Sequence, residues 1–349
     1  MDSNDCYECC IDDNFFYDLT KNEMIFSPAQ FKIMRWAVAI LTAFILIASS
    51  FVMPSKAIGI RYRDEIFSHV DITKDVIYGE NYDFTGQLVE LKMDVYEPHG
   101  DDAEKRALII FIHGGGFTGG DKATKQWVFL CTTFAKRGYV TASINYRLQK
   151  PGNVTAHAIT EAMHDAKAAV RYFRAHASEW RIDEEKIALV GGSAGAITAL
   201  HATYLREPEY EGNSGNEGYS SNVSACIDLW GGLYDNVSKI DAGEPPVCII
   251  HGTEDKGVPF SEALNISERC NEVGVYCELH PLKGEGHAPW HLIDEFLPWM
   301  VNFLYKKMIG LNVKEKEVEE ENKVAFIDLP YLIYVILLLT LLKMVRDVY

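Results

Sequence analysis

From about residue 83 to 307, short β-rich runs alternate with longer stretches of helical spacing. Residues 88–96 alternate apolar and polar side chains, as a half-buried strand does. The runs 107–112, 139–145, 187–190, 225–229, 247–250 and 276–282 are short and β-rich, bounded by Gly, Pro or polar residues. Between them, 158–176, 194–206, 261–272 and 291–307 carry apolar residues at helical spacing. Strand–helix alternation predicts an α/β domain with a mostly parallel sheet and helices on both faces. The connection 230–246 is too short to build a large cap. No internal repeat is visible.

The ends follow a different pattern. Residues 1–35 form an acidic tail with little apolar periodicity, expected to be mostly disordered and cytosolic. Residues 36–53 are an uncharged run, WAVAILTAFILIASSFVM. As a helix it spans about 27 Å, close to a bilayer's hydrocarbon thickness. An uncleaved transmembrane anchor is expected there, and the folded α/β domain over 54–310. A charged spacer, 311–323, follows. Residues 324–342 are apolar except for Asp328, with Pro330 beside it, and are expected to form a second transmembrane or interfacial helix.

Composition changes the picture only by exclusion. The 349 residues are 48% hydrophobic and 24% charged, ordinary for a globular chain. A net charge of −17 argues against a nucleic-acid partner, which needs a basic patch. Eight cysteines are too few for a disulfide scaffold.

The chemistry lies in the local motifs. Gly191-Gly192-Ser193-Ala194-Gly195 follows an apolar strand and opens an alanine-rich helix. That strand–turn–helix setting is what a nucleophile elbow needs, with Ser193 as nucleophile. His113-Gly114-Gly115-Gly116-Phe117 follows the strand 107–112. Its glycines let N–H groups of Gly114, Gly115 and Gly116 point into a cavity, where acyl transfer needs donors for developing negative charge. His113 is expected to support that loop. Downstream, Asp255 sits in a turn after the run 247–250, where open α/β sheets present their sites. Glu254 is its adjacent competitor. His287, in the loop Gly284-Glu285-Gly286-His287, suits a base that moves between nucleophile and leaving group. The cysteines, His113 and His280 show no zinc-ligand spacing, so neither metal nor cofactor is expected.

With HGGGF at 113–117, NYRL at 145–148, AMHDAKAAVRYFR at 162–174, GGSAG at 191–195, HGTEDKGVP at 251–259 and GEGH at 284–287, the region 83–307 resembles the α/β-hydrolase superfamily. Within it, the likeness is to the HGGG-type carboxylesterases and lipases. The resemblance implies Ser193, His287 and Asp255 as a triad, and an oxyanion hole from Ala194 and the Gly114–Gly116 loop. Asp165 corresponds to a structural aspartate. Hormone-sensitive-lipase-like members usually have Asp before the serine, where this chain has Gly192. The expected activity is a membrane-anchored serine carboxylic ester hydrolase acting on a small or lipid-like ester. A peptidase, amidase or acyltransferase on the same residues, and an inactive interaction protein of this fold, are the alternatives.

Two further features bear on location. Cys270 and Cys277 are close enough in sequence to pair in an oxidising compartment. Sequons begin at Asn153, Asn222, Asn236 and Asn265, which favours a lumenal or extracellular domain and a glycoprotein. Lysines between the domain and the second apolar run pull the other way.

Overall fold

The computed structural model describes residues 59–310 apart from 151 and 153–155, together with residues 16–18, 23–25, 32, 35 and 36. The chain divides into two compact units, Met1–Ile58 and Gly59–Tyr349. In the first, Phe16–Asp18 pairs antiparallel with Glu23–Ile25, inside the tail expected to be disordered.

Among its described residues the second unit holds eight strands: β1 (Val70–Tyr82), β2 (Leu88–Pro98), β3 (Arg106–Ile112), β4 (Val140–Ile144), β5 (Ile182–Gly192), β6 (Ala225–Leu229), β7 (Val247–Gly252) and β8 (Cys277–Leu282). Five α-helices accompany them: α1 (Lys125–Ala135), α2 (Ala156–Ala175), α3 (Ala194–Tyr204), α4 (Phe260–Val273) and α5 (Ile293–Lys307). The sheet order is β8-β7-β6-β5-β3-β4-β2-β1. Strands β3 to β8 run parallel, while β2 pairs antiparallel with both β4 and β1 at one edge.

Strands β3, β4, β6 and β7 are buried at every position and largely apolar because both faces of the sheet are covered. On β3, Leu108, Ile110 and Ile112 pack with Ala166, Val170 and Leu200 of α2 and α3. Ala107, Ile109 and Phe111 pack with Phe134, Phe296 and Met300 of α1 and α5. Truncating a residue such as Ile110 to Ala would cost about 2–5 kcal/mol. No large cap interrupts 230–246; a single 3-10 turn, Tyr234–Lys239, occupies it.

Two elements were not anticipated. The segment 70–82 is edge strand β1, whose two register shifts against β2 break the period-2 pattern. Helix α1 buries Trp127, Leu130, Cys131 and Phe134 at helical spacing. Its Val, Thr and aromatic residues have modest helix propensity.

The membrane localisation is corrected. No helix among the described residues is long and apolar enough to cross a membrane. Apart from Trp36, the runs 36–53 and 324–342 lie outside the described residues, as does the spacer 311–323. The expected transmembrane anchors, membrane partner and lumenal or extracellular placement are therefore without support.

Candidate active site

Strand β5 delivers Ser193 through a tight turn into α3. Ser193 has φ 55° and ψ −121°, a conformation that is strained for a residue with a side chain. Its neighbours must be small. A Cβ on Gly191 would lie 2.1 Å from the Gly195 carbonyl oxygen, and one on Gly195 would lie 2.1 Å from that of Ile112. The turn thus presents the Ser193 hydroxyl at the carboxyl end of the sheet. Ala194 begins α3, where the first N–H groups have no acceptor within the helix.

Strands β7 and β8 deliver the partners. His287 Nε2 lies 2.8 Å from Ser193 Oγ, and His287 Nδ1 lies 2.7 Å from Asp255 Oδ2. The Asp255 side chain is buried, and its Oδ1 accepts from the N–H groups of Gly257 at 2.7 Å and Val258 at 3.0 Å. A carboxylate so placed favours the tautomer with the proton on Nδ1, leaving Nε2 to accept from the serine hydroxyl. Glu254, the adjacent competitor, is exposed. Sequence reasoning assigned nothing to His251. It is fully buried, donates from Nε2 to the Val258 carbonyl at 2.9 Å, and places the same nitrogen 3.3 Å from Asp255 Oδ2. Burial holds its pKa below the usual histidine value, which keeps the ring neutral. Its position inside the HGTEDKGVP run was the available signal.

The loop after β3 approaches from the other side. Gly114, Gly115, Gly116 and Ala194 all line the cavity that contains Ser193 and His287. The Gly115 carbonyl accepts from the N–H groups of Thr118 and Gly119, both at 3.1 Å, which closes the loop into a turn. His113 is buried, donates from Nδ1 to the Gly114 carbonyl at 2.7 Å and stacks on Tyr146 at 4.5 Å. Burial lowers its pKa. The NYRL run fastens the same loop. Tyr146 donates to the His113 carbonyl at 2.9 Å, and Asn145 accepts from the Lys122 N–H at 2.6 Å and donates to Asp121 at 2.9 Å. Arg147 forks onto buried Asp165, which Ser214 also donates to.

The cavity measures about 650 Å³ and none of its lining residues is Asp, Glu, Lys or Arg. One wall is aromatic. Trp290 stands edge-on to Trp127 at 5.3 Å and to Trp230 at 5.0 Å.

The remaining sequence candidates separate. Asn153 lies outside the described residues. Asn222 and Asn265 are exposed, but Asn236 is half-buried, with its Nδ2 3.2 Å from His201 Nε2. A glycan at Asn236 would break that contact, and nothing supports the glycoprotein expectation. Cys270 and Cys277 are both free thiols.

Known proteins bear on this geometry. A BD-FAE profile matches residues 93–235, and a prolyl oligopeptidase family profile matches residues 232–306. Together they take in both the elbow and the acid–histidine half of the site. The chain is an α/β-hydrolase of the carboxylesterase–lipase type. It is 25% identical over 260 residues to esterase LipC and 27% over 247 residues to the probable carboxylic ester hydrolase LipM, both of Mycobacterium tuberculosis. Those matches cover 63% and 59% of this α/β-hydrolase, and 60% and 54% of the relatives' own lengths. Among solved structures, a thermophilic esterase of Thermogutta terrifontis aligns with a TM-score of 0.58 and 27% identity. That alignment covers 73% of this chain and 97% of the other.

Proposed function

We propose that this α/β-hydrolase is a serine carboxylic ester hydrolase acting through Ser193, His287 and Asp255. The observation that carries it is the continuous chain from Ser193 Oγ through His287 to Asp255, with separations of 2.8 Å and 2.7 Å, at the floor of an open cavity. His287 takes the Ser193 proton as the oxygen attacks the ester carbonyl. Asp255 holds the imidazole and stabilises the imidazolium. The oxyanion is received by N–H groups of Ala194 and the Gly114–Gly116 loop. His287 then protonates the leaving alcohol. Water activated by the same imidazole hydrolyses the acyl-enzyme and restores Ser193.

The substrate is an uncharged ester with a short acyl group. The absence of acidic and basic side chains from the cavity lining supports the first part. The Thermogutta esterase, seen with propionate and with butyrate bound, supports the second. The same esterase is known phosphorylated by paraoxon, which supports covalent trapping as the test. A peptidase is favoured only by the prolyl oligopeptidase match over residues 232–306.

Wild-type protein and Ser193→Ala are exposed to a labelled fluorophosphonate and to p-nitrophenyl esters and anilides of the same acyl group. Labelling and ester turnover that both vanish in Ser193→Ala are expected. Labelling that persists, or anilides cleaved faster than esters, would overturn the assignment.

A further inference from the structure

Cys248, Glu278 and His280 sit away from the triad on the adjacent parallel strands β7 and β8. Glu278 is the register partner of Cys248, and His280 lies two residues farther along β8, so all three share one face of the sheet. One ligand atom from each lies within 4.8 Å of the other two. Helix α5 covers this face, and Cys248 packs with its Phe296 and Met300.

We propose that these three side chains form a transition-metal site, with Zn²⁺ as the favoured ion. A thiolate, an imidazole and a carboxylate suit zinc or cobalt, whereas Mg²⁺ and Ca²⁺ take oxygen ligands. Tetrahedral zinc with bonds of about 2.0–2.3 Å holds its ligand atoms roughly 3.3–3.7 Å apart. His280 Nε2 and Glu278 Oε2 already stand 3.3 Å apart. The two are also aimed by neighbours. Tyr276 donates to Glu278 Oε1 at 2.8 Å, leaving Oε2 for the ion, and the His280 ring lies flat on Trp299 at 4.5 Å with planes 8° apart. Outer contacts of this kind orient metal ligands. Burial keeps the Cys248 thiol protonated, so binding releases that proton to solvent as the sulfur–metal bond forms. A water completes the fourth position. Because β7 leads to Asp255 and β8 to His287, the ion would pin the two strands that carry the acid and the base.

The test uses the full chain with Cys6, Cys9 and Cys10 changed to Ser, stripped with a chelator and titrated with Co²⁺. One equivalent should bind with a thiolate-to-cobalt charge-transfer band. Zn²⁺ should displace it and raise Tm, while Mg²⁺ and Ca²⁺ should do neither. Cys248→Ser should lose the band. Glu278→Gln and His280→Gln, at partly exposed positions, should each weaken binding at least tenfold and decide the matter if Cys248→Ser fails to fold by circular dichroism. Absence of the band, a band unchanged in Cys248→Ser, or unchanged affinity in both β8 variants would overturn the site.

Discussion

The Asp255 carboxylate is held from three sides: by backbone N–H groups of Gly257 and Val258 on Oδ1, by His287 on Oδ2, and by His251 at 3.3 Å from that same oxygen. The first contacts fix the carboxylate plane, so Asp255→Asn should leave the fold intact yet present the wrong partner to His287 Nδ1. A fall in kcat of about 10³–10⁴-fold is expected. Exposed Glu254→Gln should change kcat less than about threefold. Steady-state kinetics on one ester checks both, and reversed magnitudes would mean the acid is misassigned. His251 contacts Asp255 and does not line the cavity. His251→Phe removes a donor from the carboxylate and from the Val258 carbonyl, and should lower kcat about tenfold with KM little changed. His251→Gln, which can keep one N–H there, should recover most of it. Equal losses in both variants would indicate packing alone.

Among the secondary-structure elements, what could be read from the sequence depended on burial. Strands β3, β6 and β7 are covered on both faces, and their short, largely apolar runs were legible. Edge strand β1 is largely exposed and bulged, so no period survived to be read. The residues proposed as a triad could be picked out because each follows a strand in a short, glycine-marked loop. The aromatic wall was not, because α1, the β6–β7 connection and the turn Trp290–Leu292 contribute one tryptophan each and only the tertiary fold brings them together. The wall also accounts for Gly192, where related lipases usually carry Asp: a Cβ there would lie 2.9 Å from the Trp127 ring. Trp290→Ala should lengthen the pocket. Discrimination by an apolar pocket is worth about 1–3 kcal/mol per methylene, so kcat/KM for an octanoate ester relative to butyrate should rise about tenfold or more. An unchanged chain-length profile would show that the wall does not bound the acyl group.

At the scale of the whole molecule, two of the buried titratable groups contribute opposing pH dependences of stability. Burial lowers His201 from 6.5 to about 4. Its contribution is therefore complete above 6.5 and is lost as pH falls through about 4, because the unfolded chain takes up a proton that the folded one refuses. Burial raises Asp228 from 3.8 to about 7, and among the described residues only the Gly231 N–H donates to it, at 2.6 Å. Its contribution is complete below 3.8 and is lost as pH rises through about 7. Between pH 4 and 6.5 these two effects offset each other. Asp228→Asn removes one of them. At about 1.36 kcal/mol for each tenfold change in proton affinity, the variant should gain up to about 4 kcal/mol relative to the parent on going from pH 4 to pH 8. Any cost of seating the amide is the same at every pH, so the change in the difference isolates the carboxylate. Urea unfolding of both proteins at pH 4, 6 and 8 measures it. A difference that stays constant across the series would mean that Asp228 is not held protonated by its burial beneath the Trp230 loop.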